Sequence, residues 1–185
     1  MIELALPSAW RDRAIVIRDV DDPESWLRDD ELAIARAFPR EKRRREWMLA
    51  RVAAKVLARR RALGDVAVER PLVSVSHSGP WAAAAIDIAP VGIDVEVVRN
   101  VSERAARHFL TSEQAAQMES CTIPHRLLHF WCAKEATWKQ RCGAIPFLKG
   151  VPLVLEEESS SGLRFDGAET FAVDDVIVAL TPPIS

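Results

Sequence analysis

The sequence predicts a chain of mixed helix and strand, and three observations carry that reading. Runs such as AIVIRDV (14–20) and VGIDVEVV (91–98) follow the two-residue period of a strand. Two long stretches, 39–64 and 125–141, repeat apolar residues at helical spacing. The chain also echoes itself. In each half a strand leads to helices, then to a Phe followed by a Glu (Phe38 and Glu41; Phe109 and Glu113), then to a long helix. The echo reads either as an old duplication or as a chance likeness of two amphipathic helices. As a duplication it sets Val52 in the place of Glu135, leaving unequal halves with a single site between them.

Taken in order, AIVIRDV is the first strand. DDPESWLRDDELAIARAF is then expected as a helix, with Asp22 as cap and Pro23 in its first turn. PREKRRREWMLARVAAKVLARRRALG (39–64) is a long helix closed by Gly64, with Leu49, Val52, Ala53 and Val56 as its core stripe. PLVSVSHSGPWAAAAIDI is two strands joined at Ser78-Gly79-Pro80. VGIDVEVV is a further strand. SERAARHFLTSEQAAQM gives one or two short helices, the second capped by Thr111. HRLLHFWCAKEATWKQR (125–141) is the second long helix. VPLVLEE, LRF and DDVIVAL supply late strands, and EEESSSG (156–162) is expected as a polar loop.

Composition narrows the function. At 185 residues the chain has material for a real core in one domain or two small ones. A net charge of −2 gives no global attraction to nucleic acid or anionic membrane, so any electrostatic site is local. No run approaches the ~18 apolar residues of a membrane span. MIELALPSAWRDR lacks the apolar core of a signal peptide. Cys121, Cys132 and Cys142 are odd in number and lack CxxC spacing, which fits buried thiols of a cytoplasmic protein better than a disulfide framework or a structural zinc site. The basic run 40–61 would suit a nucleic-acid-binding domain, but no recognised nucleic-acid motif accompanies it.

Two places break the expected patterns. In 125–141, Leu128, Trp131, Glu135, Trp138 and Cys142 share one stripe, so a carboxylate interrupts an apolar face. In 91–98, Val91, Ile93, Val95 and Val97 point one way, while Gly92, Asp94 and Glu96 point the other. The two carboxylates then lie about 7 Å apart by strand rise, and Gly92 lets another group approach the backbone closely. A strand Asp-x-Glu is ordinarily a solvated face, and Glu135 with Lys139 at i+4 is ordinarily a surface ion pair. Three carboxylates converging on one point would repel each other, but around a hard divalent cation they become favourable. Oxygen ligands suit Mg²⁺, which commonly binds with substrate phosphates. Phosphate donors are near in sequence: Ser76, His77 and Ser78 in SVSHSGP, Arg70 just upstream, and the Arg and Lys residues of the first long helix.

SVSHSGPW (74–81), VGIDVE (91–96) and FWCAKEATWK (130–139), in this order and spacing, resemble the 4′-phosphopantetheinyl transferase superfamily, of the Sfp type. The resemblance implies an α+β fold of two pseudo-symmetric halves. Each half is a small antiparallel sheet packed against a long helix, with the active site at their interface. It implies transfer of the 4′-phosphopantetheine arm of coenzyme A to a serine of an apo acyl or peptidyl carrier protein, with Mg²⁺ required and 3′,5′-ADP released. Residues 1–90 would supply coenzyme A contacts and residues 91–185 the metal and catalytic groups. Carried over by position, Asp94, Glu96 and Glu135 would hold the metal, and Glu135 would also be the base for the serine. Lys139 would neutralise charge on the phosphate, Ser76 and His77 would contact the nucleotide, and Arg70 would lie beside it. Where the family carries a basic residue about four positions before Phe38, this chain has Ile34, and Arg36 is the nearby substitute. The resemblance further implies a cytoplasmic monomer, since a fused pair of halves already builds its own interface, with no nucleic-acid or membrane partner. The alternative is a catalytically silent relative that binds coenzyme A or a carrier protein.

Overall fold

A computed structural model describes residues 1–64, 72–142 and 144–182, with the side chain of Glu103 outside that set. The described strands form two antiparallel sheets. The first contains β1 (Ile2–Glu3), β2 (Ala14–Arg18), β3 (Val73–Ser78) and β4 (Trp81–Ile86), in the spatial order β1-β2-β4-β3. The second contains β5 (Ile93–Val97), β6 (Leu155–Glu158), β7 (Leu163–Phe165), β8 (Ala168–Val173) and β9 (Val176–Leu180), in the order β5-β9-β8-β7-β6. The helices are α1 (Asp29–Arg36), α2 (Glu41–Arg60), α3 (Glu103–Phe109), α4 (Ser112–Ser120) and α5 (Arg126–Gln140).

The two halves repeat one topology. β2, α2, β3 and β4 give the order β2-β4-β3; β5, α5, β8 and β9 give the order β5-β9-β8. Each sheet carries its long helix on its outer face. Ile15, Ile17, Ala82 and Ala84 pack with Leu49, Val52 and Leu57 of α2. Ile177 and Ala179 pack with Leu128, Cys132 and Ala136 of α5. The inner faces meet each other through Val16, Trp81 and Ala83 on one side and Ile93, Val95, Val178 and Leu180 on the other. The result is the α+β architecture of two similar halves, layered helix, sheet, sheet, helix. Among the described residues, no helix is long and apolar enough to cross a membrane.

Several local expectations are corrected. The helix expected to start beside Asp22 starts at Asp29. Asp22 instead accepts from the Ser25 N–H in a short 3-10 turn, Glu24–Trp26. Leu27 is extended, and the carboxylate of Glu31 accepts from the Arg28 N–H to open the true helix. The acidic Asp29, Asp30 and Glu31 suit that helix's N-terminal dipole. Glu156 and Glu157, which the sequence offers both to the strand VPLVLEE and to the polar loop, belong to β6, and Glu158, expected in the loop, joins them. β6 is an outer strand, where charged side chains face water and discourage further pairing.

The stripe expected on α5 is also displaced. Leu128 is fully buried, but Trp131, Glu135 and Trp138 are half-buried, and Cys142 lies exposed beyond the helix end. The stripe is the border of the buried surface, because α5 also buries Leu127, Phe130, Ala133 and Ala136.

Lys134, beside Glu135, is completely buried. Its ammonium donates to Phe109 O at 2.7 Å, Leu148 O at 3.2 Å and Lys149 O at 3.2 Å. One side chain thus ties the end of α3 and the 148–150 turn to α5, and all three of its protons are used. Burial, with Lys149 adding to it, lowers the Lys134 pKa to about 8 from 10.5. Between those values the unfolded chain holds a proton that the folded chain has shed, so folding gains from rising pH. Lys134→Met is expected to lower stability by about 3 kcal/mol. The gap to the parent protein should widen from pH 8 toward 10.5 in urea midpoints, and a pH-independent gap would contradict this account.

Candidate active site

β5 carries out the alternation read from its sequence. Val91, Ile93 and Val95 enter the core between the sheets, and Asp94 and Glu96 face the other way. Gly92 is where α5 comes down on the strand: a Cβ built there would stand 1.8 Å from Ala136 O and 2.9 Å from Gln140 N. The missing side chain lets the helix rest its backbone on the strand. Lys139 is thereby brought over Asp94, and Glu135 to the same opening.

Asp94 is buried, and its two oxygens differ. Oδ1 accepts from Lys139 Nζ at 2.6 Å and from Ser76 Oγ at 2.7 Å, and Lys139 also donates to Ile93 O at 3.1 Å. Oδ2 is buried with no hydrogen-bond partner among the described residues. Glu96 is half-buried and accepts through Oε2 from Ser78 Oγ at 2.7 Å and from Arg99 Nη1 at 2.8 Å.

These groups open into a cleft of about 420 Å³ lined from both halves. α2 contributes Arg43, Trp47 and Arg51, with the Arg51 guanidinium 3.5 Å from the Trp47 ring centroid. β3 contributes Ser76 and His77, β5 contributes Asp94 and Glu96, and α5 contributes Trp131, Glu135 and Lys139. His77 Nε2 lies 2.6 Å from Arg43 Nη1. A guanidinium can only donate, so this network assigns Nε2 as acceptor and the proton to Nδ1, which faces Glu46 Oε2 at 3.8 Å. Burial is the main cause holding the His77 pKa below its ordinary value; Glu46 opposes the shift, while Arg43 and Lys139 add to it.

The expected site residues therefore separate into three groups. Ser76, His77, Asp94, Glu96, Glu135 and Lys139 line one cleft. Arg36 does not: it is exposed in the last turn of α1 and is absent from the cleft wall. Arg70 lies outside the described residues. Besides Lys139, the cleft has two basic groups from α2, Arg43 and Arg51, which the sequence offers only as members of a long basic run. With Trp47 they recur every four residues, one face of a helix, and that spacing is the signal that distinguishes them.

The fit to a divalent cation rests on Asp94. An unpartnered buried carboxylate oxygen beside two further carboxylates is an all-oxygen donor set of the kind Mg²⁺ takes. Among the described residues, no three His, Cys, Asp or Glu side chains stand close enough to enclose an ion, so Asp94, Glu96 and Glu135 share a cleft without forming a closed trio.

Comparison with known proteins adds to this geometry. Residues 90–179 match the family model of the 4′-phosphopantetheinyl transferase superfamily. The chain is 30% identical over 100 residues to the 4′-phosphopantetheinyl transferase psf-1 of Bacillus pumilus, covering 52% of this chain and 43% of that relative. It is 29% identical over 105 residues to the 4′-phosphopantetheinyl transferase Sfp of Bacillus subtilis strain 168, covering 55% of this chain and 44% of that one. The matched stretch thus spans less than half the length of each relative.

Proposed function

We propose that this chain, which over residues 90–179 is similar to the 4′-phosphopantetheinyl transferase superfamily, is an enzyme of that superfamily. In this reading it moves the 4′-phosphopantetheine arm of coenzyme A to a serine of an apo acyl or peptidyl carrier protein, with Mg²⁺, releasing 3′,5′-ADP. The observation that supports this best is the shared cleft. His77, Asp94 and Glu96, and Glu135 and Lys139 come from three separate sequence motifs and line one opening beside Arg43 and Arg51.

Phosphoryl-type transfer asks the protein for positioning and charge stabilisation. Arg43 and Arg51 line the wall where phosphates would be held, and Lys139 neutralises charge on the phosphate under attack. Asp94, Glu96 and Glu135 would hold Mg²⁺. When bound, the ion supplies Lewis-acid stabilisation of charge on the pyrophosphate. Glu135 removes the proton of the carrier serine as its oxygen forms a bond to the pantetheine-side phosphorus. The bond from that phosphorus to the 3′,5′-ADP oxygen breaks, and the electron pair leaves with the nucleotide. In this division residues 1–90 contribute the coenzyme A contacts and residues 91–185 the metal and catalytic groups. The enzyme is read as a cytoplasmic monomer, with coenzyme A and the carrier protein as its partners.

Intact mass measurement tests the proposal. Incubated with Mg²⁺, coenzyme A and several apo carrier proteins, the protein is expected to add one phosphopantetheine to at least one carrier. No gain on any carrier, with coenzyme A still bound, would instead identify a silent binding module.

A further inference from the structure

The first half meets the second through serines. β3 ends the first sheet and β5 begins the second, so two edge strands lie side by side. Side chains join them: Ser74 Oγ accepts from Ile93 N at 3.1 Å, and Ser78 Oγ accepts from Val97 N at 3.1 Å. The same seam reaches the carboxylates. Ser76 Oγ donates to Asp94 Oδ1, and Ser78 Oγ donates to Glu96 Oε2, each at 2.7 Å and each across the same sequence separation of 18. Two hydroxyls spaced by two on one strand thus match two carboxylates spaced by two on the other.

We infer that Ser76 and Ser78 are positioning residues for the cation-binding carboxylates, supplied by the half that carries no such carboxylate of its own. The inference rests on the proposed metal-dependent reading of the cleft. It differs from the nucleotide contact that resemblance implies for Ser76. A serine hydroxyl has one proton, and that of Ser76 is directed to Asp94. Fixing one carboxylate oxygen fixes the aim of the other. Asp94 Oδ1 is held by Ser76 and Lys139, so Oδ2, buried and unpartnered among the described residues, is the oxygen left to receive a cation. Without the hydroxyl, Asp94 is free to turn toward the Lys139 ammonium, which competes with any cation for it. Groups that orient metal ligands typically contribute about 10–100-fold to metal affinity.

The experiment reads metal and coenzyme separately. Mn²⁺ is titrated into the full chain, alone and saturated with coenzyme A, and followed by electron paramagnetic resonance without any carrier. Coenzyme A affinity is measured by calorimetry without metal, and urea midpoints report folding. Ser76→Ala and Ser78→Ala are each expected to weaken Mn²⁺ binding by about 10-fold or more, and Ser76→Thr and Ser78→Thr, which keep the hydroxyl, to restore it. The Ala variants should keep the parent affinity for coenzyme A. Retained Mn²⁺ affinity with weakened coenzyme A binding would overturn the inference and return Ser76 to a ligand contact. A lowered urea midpoint with both affinities intact would also overturn it, leaving a purely structural seam. A parent protein that binds no Mn²⁺ in either state would remove the metal-dependent reading itself, and that result is distinct from the other two.

Discussion

Glu135→Gln is expected to slow phosphopantetheine transfer by about 10²–10⁴-fold, the range a positioned general base contributes. The substitution keeps the shape and hydrogen-bonding reach of the side chain but removes its ability to take a proton. The carrier serine is a poor nucleophile at neutral pH unless a neighbouring base accepts that proton. Because Glu135 is also assigned to the cation, the assay needs a comparison that separates the roles. At saturating Mg²⁺ the Gln variant should remain slow. Asp94→Asn, which changes the buried carboxylate proposed to face the cation, should instead shift the Mg²⁺ concentration required for half-maximal rate upward. Mass measurement of the carrier over time reads both. A Glu135→Gln protein that modifies carrier at the parent rate would sink the assignment.

Gly92→Ala is expected to cost about 3 kcal/mol or more, at the upper end of overpacking effects. The reason is backbone, not a flexible side chain. The added Cβ would stand 1.8 Å from Ala136 O, a distance no real contact allows. α5 must therefore lift off β5, and it carries Glu135 and Lys139 with it. The Lys139 to Asp94 bond at 2.6 Å then loses its geometry, so transfer should fall together with stability. A lower urea midpoint together with slower transfer supports the account. An unchanged midpoint would mean that the helix does not rest on the strand as described.

Much of the site is legible in the sequence because its signals are local. The period of two along VGIDVEVV sets Asp94 and Glu96 on one side, and Gly92 is visibly the residue that permits close approach. The hairpin at Ser78-Gly79-Pro80 and both long helices follow from turn chemistry and helical spacing. What was hidden depends on contacts between distant segments. Lys139 looks like the i+4 partner of Glu135, yet its ammonium donates to Asp94, 45 residues away in sequence. Arg36 and Arg43 are both exposed; the difference is that α2 borders the cleft and α1 does not, and only the four-residue spacing of Arg43, Trp47 and Arg51 hints at this in the sequence. β8 (AETFAV) gives little strand signal because a glutamate and a threonine dilute its apolar pattern, although Thr170 is buried, with Oγ1 2.8 Å from His129 Nδ1. The stripe on α5 misled because a helix buried on several faces has no single inward direction.

The side-by-side edges of β3 and β5 have a further consequence. Each strand shields the flank that the other would otherwise leave raw, and raw flanks recruit strands from other molecules. Neither half is thus a cassette to be shuffled or expressed by itself. Parting them would bare two sticky borders at once and strip both acidic groups of the hydroxyls that hold them, so solubility and chemistry would fail in the same event.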